Sequence, residues 1–166
     1  MAKHNNKGFS MIELIVVVAI LIVAVGVTAT SLRTMYNARS LKAAKTIDGM
    51  ISQSKINAMS GKKNTFVLRY SEDDGCYFCE LVDAAGNAYE SEQVGNNSLE
   101  VTIDSANNVK ENNLEIRFNG DTGAIKSLKY GGVNHSDGWS SKVINLESLT
   151  VHTITLYRTT GEHNFV

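Results

Sequence analysis

Apolar and polar positions divide the chain into three regimes. From Phe9 to Leu32 the run FSMIELIVVVAILIVAVGVTATSL is apolar almost throughout, rich in Val and Ile and free of proline. As a helix it would extend about 36 Å, more than the roughly 30 Å of a bilayer core. From Ala29 to Ser60 the pattern becomes periodic. Leu32, Met35, Tyr36, Ala43, Ala44, Ile47, Met50, Ile51, Ala58 and Met59 recur at steps of three and four, which makes one apolar stripe. Arg33, Arg39, Lys42, Lys45, Asp48, Gln53 and Lys55 take the other faces. Gly61 with Lys62-Lys63-Asn64 is a stop signal. The pattern predicts one helix over about 9–60, apolar all round at first and amphipathic later.

The third regime reads as strands separated by turns. Thr65–Tyr70, Cys76–Val82, Leu99–Ile103, Leu114–Phe118, Ala124–Tyr130, Val143–Leu146, Val151–Tyr157 and Glu162–Val166 carry strand-like sequence. Ser71–Gly75, Asp83–Asn87, Asn119–Gly123 and Thr159–Gly161 are turns rich in Gly, Asn and Asp. One helix followed by seven or eight short strands predicts an α+β fold, with an antiparallel sheet packed on the amphipathic half of the helix. With 166 residues there is enough chain beyond the apolar run for one modest core.

Charge narrows the function. Sixteen Lys and Arg face 17 Asp and Glu, a formal charge of −1, so general nucleic-acid binding through a basic face is not expected. Mean hydropathy is −0.12 despite the apolar run, so the remainder is distinctly polar.

One carboxylate stands out. Between Phe9 and Leu32 the only ionisable side chain is Glu13, and a charge deep in an apolar helix costs about 2.5–3.5 kcal/mol on insertion scales. A secretory signal, with cleavage near Val27-Thr28-Ala29, has no use for it. Neither has a plain single-pass anchor. A third arrangement, cleavage before the apolar run, keeps that run in the mature chain.

Gly8-Phe9-Ser10-Met11-Ile12-Glu13, after a short leader with Lys3 and Lys7, resembles the signature of type IV pilins and type II secretion pseudopilins. The resemblance implies cleavage between Gly8 and Phe9 by prepilin peptidase, N-methylation of Phe9, and pairing of Glu13 with the terminal amine of a neighbouring subunit. Losing the leader takes the basic residues from 16 to 14 against 17 acidic ones, a balance of −3. The chain departs from many pilins in lacking proline, so Gly26 is left as the soft point of the apolar helix. The resemblance divides the chain into a leader at 1–8, a transmembrane and filament-core helix at 9–32, an amphipathic continuation at 33–61 and an extracytoplasmic β-rich domain at 62–166. It implies a single-pass protein of the cytoplasmic membrane, reaching the cell surface in a pilus after assembly. Implied partners are prepilin peptidase, other pilin or pseudopilin subunits and the inner-membrane assembly platform.

Among these families the chain is most similar to the GspH/FimT-type minor pseudopilins. Arg39-Ser40, Phe66-Val67-Leu68, Ile116–Gly120 with Gly123, and Ile154–Tyr157 with Thr160-Gly161 carry that likeness. Where the family often has Gly-Arg in its last turn, Gly161 is followed by Glu162. Some members bind DNA through basic residues near the carboxy terminus, and here only Arg158 and His163 are available. The implied function is a minor pilin or pseudopilin that joins or primes a type IV pilus or a type II secretion pseudopilus. A competence-type DNA-uptake pilin, a membrane-anchored binding module that never polymerises and a secreted hydrolase are the alternatives.

Other candidate chemistry is sparse. Cys76 and Cys79 form an isolated Cys-x-x-Cys with no second pair for zinc. On a straight strand they face opposite ways, so two structural thiols are favoured, with a disulfide left open by an oxidising exterior. His4 leaves with the leader, and His135, His152 and His163 are scattered. Asp73-Asp74-Gly75 and Asp121-Thr122-Gly123 lack calcium-loop spacing and read as turns. Trp139 reads as a loop anchor or contact residue. No nucleophile, base and oxyanion set can be assembled, so neither catalysis nor a cofactor is expected.

Overall fold

The structure is a computed structural model and describes residues 9–135 and 137–166; the side chains of residues 27, 29, 30 and 32 are outside the description. The leader at 1–8, with Lys3, His4, Lys7 and Gly8, and the stripe position Leu32 therefore fall outside it. The chain forms two compact units, Met1–Met35 and Tyr36–Val166.

One helix, α1, runs Met11–Met59, close to the span its periodicity predicts. It ends where a left-handed residue is supplied: Gly61 has φ +87°. The Gly61 amide donates to Ala58 O at 3.1 Å and the Lys62 amide to Asn57 O at 2.9 Å, the paired bonds of a Schellman stop.

Within Tyr36–Val166 the helix buries Ser40, Ala43, Ala44, Ile47, Met50, Ile51, Ser54 and Ala58, spaced as one face. The stripe was legible; its two serines were not. Ser40 Oγ donates to Asn37 O at 3.1 Å, which satisfies it locally.

Among the described residues eleven strands follow: β1 Asn64–Ser71, β2 Cys76–Asp83, β3 Ala88–Asn96, β4 Glu100–Ile103, β5 Asn107–Asn108, β6 Leu114–Phe118, β7 Ile125–Tyr130, β8 Val133–Asn134, β9 Ser141–Glu147, β10 Val151–Tyr157 and β11 His163–Phe165. They form two antiparallel sheets, in the orders β3-β2-β1-β6-β7-β8 and β11-β10-β9-β4-β5. A single sheet was the expectation. The split arises because β4 pairs with β9 across a long stretch of sequence, a choice made by tertiary packing. The inner faces contribute Phe66, Leu68, Leu114, Ile116, Ile144, Leu146, Ile154 and Leu156, which join the helix stripe in one core cluster.

β3 escaped the sequence reading. Of its nine residues only Val94 is buried, so it shows no apolar alternation. It is an edge strand held by β2, with two irregularities in register.

The segments that carried the looser carboxy-terminal likeness meet at one junction. A Cβ on Gly161 would lie 1.9 Å from Gly123 O and 3.3 Å from Phe118, and one on Gly120 would lie 2.9 Å from Ala58 O. The turns after β6 and β10 thus close against each other and the end of α1, and Lys55 Nζ bonds Thr160 O at 3.0 Å. Gly161 also has φ +61°. Gly161→Ala is expected to cost about 2–4 kcal/mol, from left-handed strain and overpacking together. Denaturant unfolding of the full chain would show this as a lower midpoint with unchanged slope.

Candidate assembly site

The start of α1 is built by the two residues around which the sequence reading turned. Phe9 and Ser10 precede the helix. The Glu13 amide donates to Ser10 Oγ at 3.2 Å, and the Ser10 amide donates to Glu13 Oε2 at 2.9 Å. This reciprocal pair is a capping box. The Ser-x-x-Glu spacing was legible, yet the sequence reading gave Glu13 only a partner outside the chain. The cap orients the carboxylate towards the helix start, where the positive end of the helix dipole also favours it.

From Leu14 to Gly26 the helix has no polar face. Phe9 is 84% exposed, Ile12 71%, Leu14 61%, Ile20 62%, Ile22 68% and Val25 66%, and every residue over 9–26 is exposed. Thr28 returns its hydroxyl to Val25 O at 2.9 Å, so it adds no outward polar group. Among the described residues no helix is long and apolar enough to cross a membrane; within the apolar run, side chains are described without a break over 9–26.

The remaining candidates fall into structural roles. Cys76 and Cys79 are free thiols, and both are buried. Tyr77 and Cys79 point inward together, while the register shift between Cys76 and Phe78 lets Cys76 be buried as well. Trp139 Nε1 donates to His135 O at 2.9 Å, and the His135 ring stacks on Tyr130 at 4.1 Å, so Trp139 anchors its loop. His152 lies 5.7 Å from the Phe165 ring. Asp74 and Asp121 sit in turns, the first with its amide on Ser71 Oγ and the second with its amide on Asn119 Oδ1. Among the described residues no group of three His, Cys, Asp or Glu side chains is placed to hold a metal ion.

The fold does bring His163 to Ser52 and Asp48, which spacing alone did not reveal. His163 Nε2 lies 2.8 Å from Ser52 Oγ and 3.4 Å from Asp48 Oδ1. A hydrolytic relay needs hydroxyl and carboxylate on opposite ring nitrogens. Here both meet Nε2, while Nδ1 is buried without a partner. The contact ties β11 to α1 and does not activate the serine.

Burial has a measurable consequence. It pushes the Cys79 thiol well up and the Tyr77 phenol to about 12. Both groups keep protons in the folded chain that the unfolded chain releases. Their stabilisation is therefore complete below the ordinary thiol and phenol values, about 8.5 and 10, and is lost as pH rises through the raised ones. Thermal midpoints should fall steadily above about pH 9, and Tyr77→Phe should flatten the upper part of that decline. Native protein should resist thiol alkylation at pH 8 until denaturant is added.

The family model of the prokaryotic N-terminal methylation motif matches residues 3–29. No curated protein sequence matches. A solved structure, the type IV minor pilin FimU of Pseudomonas aeruginosa, is similar at a TM-score of 0.49 and 12% identity, over 76% of this chain and 91% of that one. Residues 3–29, with Phe9 and Glu13 among them, thus match the prokaryotic N-terminal methylation motif, and a two-sheet α+β fold follows them in the chain.

Proposed function

We propose that this chain is a minor pilin or pseudopilin, a structural subunit that joins or primes a type IV pilus or type II secretion pseudopilus. One observation carries the reading: the helix over 11–26 is apolar on every side, exposed at every residue, and holds a single carboxylate at its first turn. Burying a large apolar side chain contributes about 1.5–3 kcal/mol, so leaving that surface in water forfeits on the order of 20 kcal/mol. Lipid can cover it before assembly, and like helices can cover it afterwards. The methylation motif at 3–29 supports the same reading.

The chemistry follows from the residues. Prepilin peptidase cuts between Gly8 and Phe9, and Phe9 gains an N-methylated amine four residues before Glu13. Lys3 and Lys7 hold the leader on the cytoplasmic side, with the strand domain outside the cytoplasmic membrane. When helices gather in a filament core, the Glu13 carboxylate of one subunit and the Phe9 amine of another neutralise each other. Removing one partner of such a buried pair costs about 3–5 kcal/mol. The subunit's role is structural. It needs no cofactor and no catalytic group.

Intact mass and amino-terminal sequencing of the membrane fraction should give a chain starting at N-methyl-Phe9, and an uncut chain in cells lacking the peptidase. A start near Thr30 would overturn the reading in favour of a secreted domain. An uncut chain in both strains would favour a plain anchor. Glu13→Val should leave cleavage intact and abolish incorporation into sheared filaments, whereas an anchor that never polymerises would keep its function.

A further inference from the structure

β1 carries opposite charge at its two ends. At its start Lys62 and Lys63 leave the helix, and Arg117 of β6 and Lys126 of β7 join them around a groove of about 580 Å³. The register brings these segments together: Phe66 of β1 pairs with Ile116, and Arg117 pairs with Ser127. Arg117 Nε donates to Thr65 Oγ1 at 2.8 Å. Among the described residues none of the four cations forms an ion pair, whereas Arg69, Lys129, Lys142 and Arg158 each have a carboxylate partner.

The negative end of a helix dipole favours cations such as Lys62 and Lys63. It does not explain Arg117 and Lys126, which arrive from a separate hairpin. Four cations against the single carboxylate of Asp121 leave this concave surface with an excess of positive charge, which favours an anionic occupant.

The other end of β1 supplies one. Ser71 pairs with Cys76 across the hairpin, and the turn between them exposes Glu72, Asp73 and Asp74. It lies about 23 Å from the groove, at about 3.3 Å per strand residue. Asp74 is fixed to Ser71 Oγ at 2.7 Å, which shapes the turn, and none of its three carboxylates is in an ion pair among the described residues.

We propose that the groove receives the Glu72–Asp74 turn of a second copy of this chain. A patch and its complement on opposite ends of one domain make a heterologous contact, which propagates instead of closing. The inference deepens the subunit role proposed above and rests on it. A nucleic-acid strand fits less well. The only aromatic lining the groove among the described residues, Phe118, is 6% exposed and offers no stacking face, and the whole chain carries −1.

The test is self-association of the full chain in detergent micelles, measured by sedimentation. K62E/K63E and D73K/D74K should each weaken it about tenfold. The combined four-residue reversal should restore it, because complementarity returns with the signs exchanged. About 0.5 M salt should suppress association of the parent and of the fourfold variant alike. Unchanged association in the two paired variants, or no recovery in the fourfold one, overturns the contact. So does a K62E/K63E chain that loses salt-sensitive binding to a single-stranded oligonucleotide while associating normally. Mature mass at Phe9, read on the same samples, separates the two ideas. A processed parent whose variants associate normally refutes only the end-to-end contact, whereas an unprocessed parent refutes the subunit role itself.

Discussion

The stripe of Ala43, Ala44, Ile47, Met50, Ile51 and Ala58 has to leave water, and both sheets are arranged to remove it. The helix buries this face against β1, β2, β6 and β7 in one sheet and β4, β9 and β10 in the other, in one continuous core. Ala43, Ala44 and Ala58 contribute small side chains to this face, and Ile47, Met50 and Ile51 contribute larger ones. Over 11–26 the same helix is apolar on every side and exposed. What covers the first half is therefore the functional question, and what covers the second half is the fold.

The junction at the end of α1 converts that packing into a defined geometry. The Schellman stop at Gly61 turns the chain into β1, Gly120 lets the β6–β7 turn touch the helix end, and Gly161 lets the last turn touch Gly123. At Gly120 and Gly161 an added methyl would force backbone to move, whereas at Gly61 it would meet open space and only the left-handed backbone opposes it. The carboxy-terminal strand is thereby fixed to the helix terminus, and the His163 contact with Ser52 and Asp48 extends that attachment along α1.

Much of this was legible because it rests on local signals. The helix over 11–59 follows from period and a glycine stop, and β6 and β10 match their alternation residue for residue. Glu13 stood out because a lone charge in an apolar run has few uses. Its bond to the Ser10 amide was overlooked although the motif lay in plain sight. What stayed hidden depends on partners far along the chain. β3 is polar and is held by its neighbour, the two-sheet split depends on β4 choosing β9, and His163 acquires meaning only when β11 reaches the helix.

The edges of the two sheets have a consequence for crowding. Sheet edges present unpaired amides and carbonyls that can zip to another chain. Here β8 and β5 are two residues each, β11 is three, and β3 is irregular in register and carries Glu92 and Gln93 on its exposed length. No edge among the described residues is a long flat apolar template. Domains with such edges can be held shoulder to shoulder at very high local concentration without fusing into a cross-β ribbon, so their contacts stay reversible and side chain-specific.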